Sequence, residues 1–141
     1  MQNAFIKNIS VIAVSLLITP FASARPTVGG VYPLAQGFYV ANGGDCASPA
    51  NAWLREYNGK GISGAATHDC VAEIVDKHGN TYTVDQICTD AGTGVAPKSS
   101  ERQNIIVQNA NHFTQIAGGK LFSYHYCTFN QLPSDLRKNY R

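Results

Sequence analysis

Hydrophobic and polar positions alternate most clearly between Gln103 and Cys127. Ile105 and Val107, then Phe113 and Ile116 less strictly, then Phe122, Tyr124 and Tyr126 stand among polar neighbours. A period of two puts every second side chain on the same face of a strand. The three runs are separated by Asn109 to Asn111 and by Gly118-Gly119, residue types that supply turn conformations, so the stretch predicts a three-stranded antiparallel meander. An apolar strand face has to be covered by a second layer or by closure into a barrel.

Upstream, Gly37-Phe-Tyr-Val-Ala41 predicts a first strand that stops at Asn42-Gly43-Gly44. The run Ser48 to Tyr57 reads equally as a helix with Ser48 as its cap and Pro49 at its first position, or as a strand that ends at the hairpin signal Asn58-Gly59. Trp53 is expected in the core. Residues 70–77 and 81–88 flank His78-Gly79-Asn80 as a second hairpin. A three-residue loop sets Ile74 opposite Val84, Ala72 opposite Gln86 and Cys70 opposite Cys88, whereas a two-residue loop shifts the register and sets Val75 opposite Tyr82. Residues 89–102 lack periodicity and read as a long loop, either a crossover or a recognition element. Leu132 to Leu136 has room for a turn of helix. Pro26, Gly29, Gly30 and Pro33 mark 25–36 as an exposed, flexible leader. The expected fold is mainly β, a small antiparallel barrel or sandwich of about 6–8 short strands with at most one or two short helices, in a single domain over 37–141.

The first residues change the picture by fixing a compartment. Lys7 precedes the apolar run Ile9 to Ile18, then come Pro20 and Ala22-Ser23-Ala24. A positive start, an apolar run too short to span a bilayer and an A-x-A site predict a cleaved signal peptide over 1–24, with no transmembrane segment afterwards. The chain is expected to be exported, to the periplasm or the medium. Loss of Lys7 lowers the formal net charge from +2 to +1, a balance that offers no long-range field to gather nucleic acid. Cys46, Cys70, Cys88 and Cys127 all follow the signal, and an even count in an exported small domain predicts two disulfides. Each contributes about 2–4 kcal/mol by restricting the unfolded chain. Three pairings exist. Cys46 with Cys70 and Cys88 with Cys127 is favoured, because a Cys70 to Cys88 bridge duplicates a constraint the hairpin already supplies.

The triplets His68-Asp69-Cys70 and His125-Tyr126-Cys127 carry zinc-ligand types at alternate strand positions. Disulfide formation removes both thiolates, so no metal and no other cofactor is expected. No Gly-x-Ser-x-Gly elbow and no phosphate loop is present, and bridged cysteines leave no nucleophilic thiolate. Asp69, Asp85 and Asp90 are the carboxylates that a hydrolase would pair, and Tyr57, Tyr82, Tyr124 and Tyr126 are surfaces a glycan would stack on. The plan as a whole resembles the small periplasmic β-barrel proteins that include inhibitors of c-type lysozymes, a likeness of architecture that carries no site residue with it. It implies a non-enzymatic binding protein of the bacterial envelope, an inhibitor or immunity protein of a cell-wall hydrolase, with a protein partner. Asp90, Lys98 and Arg102 on the 89–102 segment are the candidate contacts. The alternatives are an exported hydrolase or glycan-binding module, and a self-associating structural component.

The native protein's intact mass is expected to start at Arg25 and to fall short of the reduced chain by two hydrogens for each of two disulfides. Free thiols with a retained metal would overturn this and turn attention to His68, Cys70, His125 and Cys127.

Overall fold

A computed structural model describes residues 25–90 and 98–138. The expected signal peptide lies outside the described residues. Strands β1 (Gly37–Ala41), β2 (Leu54–Tyr57), β3 (Ile62–Ser63), β4 (Thr67–His78), β5 (Thr81–Asp90), β6 (Lys98–Asn109), β7 (His112–Ala117) and β8 (Lys120–Tyr126) are followed by a short helix, α1 (Ser134–Arg137). All neighbours are antiparallel, in the order β3-β2-β1-β8-β7-β6-β5-β4. The eight-stranded sheet curls until its two edge strands nearly meet, which gives a nearly closed barrel and bears out the expected fold class. Among the described residues no helix is long and apolar enough to cross a membrane.

The meander forms where alternation predicts it. Tyr82, Val84, Gln86 and Cys88 on β5, with Gln103, Ile105 and Val107 on β6, are the buried members of alternating rows. Strand β1 breaks the rule, because Phe38 to Ala41 are all buried. Tyr39 and Ala41 face the barrel core, whereas Phe38 and Val40 pack outward against Cys46, Cys127 and Leu132, with Leu54 and Leu136 beside them. The Cys46–Cys127 disulfide thus ties the C-terminal segment over the outside of β1.

Four sequence expectations need correction. Segment 25–36 is not an exposed leader: Tyr32, Leu34 and Ala35 are fully buried and plug one end of the barrel. Tyrosine hydroxyls hold them there. Tyr57 Oη accepts from the Tyr32 N–H at 2.9 Å and donates to the Tyr32 carbonyl at 3.0 Å, while Tyr39 Oη donates to the Ala35 carbonyl at 2.7 Å. The Pro and Gly content reported local conformation correctly but not the burial of the apolar residues between. Trp53 is 47% exposed rather than in the core, since Ser48–Tyr57 is neither one helix nor one strand but a single 3₁₀ turn at Asn51–Trp53 leading into β2.

The third correction concerns residues 89–102. Strand β5 runs to Asp90 and β6 starts at Lys98, with Thr89 opposite Lys98. Strands β5 and β6 are direct antiparallel neighbours, so residues 89–90 and 98–102 lie in strands, and 91–97 fall outside the described residues. The fourth follows from it. With β5 to β8 in plain succession, Cys88 and Cys127 lie at opposite ends of the sheet, and the bridges are Cys46–Cys127 and Cys70–Cys88. Nor does Cys70–Cys88 duplicate the hairpin. The β4–β5 ladder breaks between His68 and Val71, where Asp69 takes a left-handed φ of 49°, and the disulfide fastens the strands where hydrogen bonds do not. Both disulfides are compatible with an oxidising extracellular compartment.

The same hairpin combines both register readings. Its turn has two residues, with His78 opposite Thr81 and a positive φ at Gly79, as a Gly-first hairpin turn requires. A second irregularity between Ile74 and Asp76 restores Ile74 to Val84 and Ala72 to Gln86, and sets Lys77, not Val75, opposite Tyr82.

Closure depends on a seam between β3 and β4. Strand β3 is two residues long, too short to zip along its neighbour. Ala72 N–H donates to the Lys60 carbonyl at 2.9 Å, and Gly61 sits so close that a Cβ there would lie 2.5 Å from the Cys70 carbonyl oxygen. Beyond this, the Gln86 side chain stands in for a strand: Oε1 accepts the Ile62 N–H at 2.9 Å and Nε2 donates to the Ile62 carbonyl at 2.7 Å. Gln86 is 4% exposed, so its removal strands a buried donor and a buried acceptor. Gln86→Met, which fills the space without bonding, is expected to cost about 2–4 kcal/mol in denaturant unfolding; a loss no larger than that of an ordinary surface substitution would show that the seam closes without it.

Candidate functional site

The inner face of the barrel changes character halfway along. Towards the plug it is aromatic: Tyr32, Tyr57 and Tyr82 cluster there, and Tyr39 meets Phe113 and Tyr126 edge-on. Burial, then the neighbouring Tyr57 and Tyr82, pushes the Tyr32 hydroxyl above the usual tyrosine range. Towards the other end the same inward rows continue with Arg55 on β2, Gln86 on β5, Glu101 and Gln103 on β6, and Gln115 on β7. These residues line an open cavity of about 490 Å³ together with Ala65, Ala66 and Phe122.

The polar residues are wired in series. Arg55 Nε donates to Gln115 Oε1 at 3.3 Å, Gln115 Nε2 to Gln103 Oε1 at 2.7 Å, and Gln103 Nε2 to Glu101 Oε2 at 2.9 Å. Each amide therefore accepts on the side of the guanidinium and donates on the side of the carboxylate. The polarity of the chain is fixed by its charged ends, and charged ends strengthen the bonds they touch. Gln103 and Gln115 are both 6% exposed. Arg55 is held further by the Ala52 and Leu54 carbonyls, at 3.1 and 2.8 Å, and lies over the Tyr124 ring with 5.1 Å to its centroid. Burial raises the Tyr124 hydroxyl and the Arg55 charge draws it partly back.

The three candidate contacts do not form one patch. Asp90 lies on the inward row of β5 at the rim, where its Oδ1 accepts from Ser99 Oγ at 2.8 Å. Lys98 and Arg102 lie on the outward row of β6. Arg102 makes two bonds of 2.7 Å to the Asp85 carboxylate, through Nε and Nη2. Of the carboxylates considered for hydrolysis, Asp85 is thus engaged by a cation, and Asp69 lies at the β4 irregularity with His68 Nδ1 3.4 Å away. The four cysteines are bridged, and among the described residues no group of His, Cys, Asp and Glu is placed to hold a metal ion. Tyr57, Tyr82 and Tyr124 are core residues, not a stacking surface.

Sequence reasoning missed Arg55, Gln86, Glu101, Gln103 and Gln115. The signal was parity: each sits an even number of positions from a core residue on its strand, Tyr57, Val84, Ile105 or Phe113. Comparisons with family models, with curated proteins and with solved structures find no match to this chain.

The hydrogen bonds from Arg102, helped by its charge, hold the Asp85 carboxyl below the usual carboxylate range. A depressed folded-state value means that the pair stabilises the protein above the unfolded carboxyl's pKa and that this contribution fades as pH falls through the folded value. In an NMR titration, Asp85 is expected to titrate lower than an isolated aspartate and to move up in Arg102→Gln; an unchanged midpoint would show that the pair does not persist in solution.

Proposed function

We propose that the chain is a non-enzymatic binding protein of an oxidising extracellular compartment, an inhibitor or immunity protein of a cell-wall hydrolase, that receives its partner at the open mouth of the barrel. The observation that carries this reading is the preorganised series Arg55, Gln115, Gln103, Glu101 inside an open cavity. Polar groups already fixed by one another lose little freedom when a partner arrives. The scaffold supports the same use. Plug, seam and two disulfides hold the rim residues Asp90 and Ser99 in place around the cavity. Partner contact at that rim would combine a fixed polar floor with an Asp90 and Ser99 border. A binder also fits the commitments of the remaining side chains: Asp85 is tied to Arg102 and every cysteine is bridged.

Calorimetric titration against a panel of purified cell-wall hydrolases, alongside their activity, is expected to identify one that is bound and inhibited. Joint replacement Asp90→Ala and Ser99→Ala is expected to weaken that binding about tenfold, the scale of one or two rim contacts, with no change in melting temperature. Unchanged affinity would remove the rim from the interface, and turnover of peptidoglycan by the protein alone would overturn the non-enzymatic reading.

A further inference from the structure

Among the described residues no ion pair engages Arg55. It donates to two backbone carbonyls and one amide oxygen. The ion pairs among the described residues are His68 with Asp69, His78 with Asp76, and Arg102 with Asp85. Residues 1–24, 91–97 and 139–141 contain no Asp or Glu. A guanidinium half withdrawn from water at the floor of a cavity, with neutral acceptors alone, is stabilised further by any carboxylate that reaches it.

We propose that the group recognised by the mouth is a single carboxylate borne on a small polar unit, an acidic sugar or an N-acyl amino acid, bound with its carboxylate on Arg55 and its hydroxyl or N–H donors towards Glu101. This deepens the reading of the mouth as the recognition site and rests on it. The series of amides sets the direction: the cavity is positive at Arg55 and negative at Glu101, with two neutral amides between. A ligand acidic at one end and rich in donors at the other matches both ends. One negative charge balances the one guanidinium, whereas a doubly charged phosphate would bring its second charge into the field of Glu101.

Gln103 and Gln115 each carry one amide N–H beyond the one used in the series, a donor for ligand oxygens. Phe122, 44% exposed on the cavity wall, offers an apolar surface for ring C–H groups. A volume of about 490 Å³ lies within the range of small-ligand sites. The alanines at 52, 65 and 66 leave that volume unfilled.

The test is a chemical-shift titration of the isotope-labelled protein with glucuronate and N-acetylglutamate, compared with the neutral glucose and N-acetylglucosamine, to concentrations above about 10 mM, where even weak fragment binding registers. Both acids, or one of them, are expected to move the side-chain amide signals of Gln103 and Gln115, and which of the two does so identifies the source chemistry. Arg55→Gln is expected to weaken the acid's binding roughly 10- to 100-fold, the scale of charged hydrogen bonds. Should that variant fail to fold, Glu101→Gln, at an exposed position, is expected to weaken it several-fold by removing the charged acceptor of the ligand's donors. Equal shifts from the neutral sugars, or undiminished binding in Glu101→Gln, would overturn the assignment while the hydrolase titration still judged the mouth itself. Acids that leave the mouth signals unmoved would overturn the proposal too.

Discussion

The Gln86 side chain on the Ile62 backbone is the interaction on which the barrel depends. An eight-stranded sheet of this length has two edges, and an edge left bare exposes a row of unpaired backbone groups. Full pairing is denied to β3 by its length, so the seam is assembled from single contacts: one backbone bond from Ala72, a glycine that lets Lys60 to Ile62 approach the backbone of β4, and an amide that presents a donor and an acceptor at strand-like spacing. Only Gln or Asn can do the last of these while remaining uncharged. Gln86 therefore has to be polar and inward-facing, and its level marks where the interior passes from apolar to polar.

That transition gives the interior its two functions. The aromatic half supplies cohesion, with stacked and edge-on rings and a plug pinned by tyrosine hydroxyls whose bonds leave few plug backbone groups to desolvation alone. The polar half sacrifices part of that cohesion, since amides gain less from burial than leucine would. It is tolerable because each amide is matched to the next and the guanidinium and carboxylate at the ends give every bond a sense. One disulfide crosses the broken ladder of β4 and β5, with Cys88 on the cavity wall, and the other lies over the outer face of β1. Both brace the shell.

Much of the shell was legible from residue pattern. Alternation from Ile105 to Tyr126 with Gly118-Gly119 between two runs located three strands, and His78-Gly79-Asn80 located the turn of a fourth and fifth. The plug was not legible, because Tyr32 and Leu34 stand among Pro and Gly residues and acquire burial only from a barrel end that the rest of the chain builds. Disulfide pairing failed for a related reason: the pattern offered a crossover after Cys88 and an unbroken β4–β5 ladder, whereas β5 and β6 are direct neighbours and the ladder is broken at Asp69. The candidate site lay between these extremes. Gln103 and Gln115 share the parity of Ile105 and Phe113, yet a glutamine in an alternating strand reads as solvent-facing until strand register places it beside another inward polar residue. Asp90, Lys98 and Arg102 were all chosen through one segment, and only Asp90 shares the inward row of its strand, whereas Lys98 and Arg102 face away from the cavity.

The pairing of β1 with β8 has a consequence for assembly. The first strand of the barrel finds one of its two partners only in the last, and the disulfide between Cys46 and Cys127 spans a sequence separation of 81 residues. A chain emerging from its N-terminus can form the β4–β5 hairpin early, because its contacts are local, but β1 must wait with a bare side until residues 120 to 126 arrive. Closing so long a loop is entropically the slowest kind of contact to make. The covalent bond that secures β1 can form only once Cys127 is present, so oxidation of that pair reports that β8 has arrived.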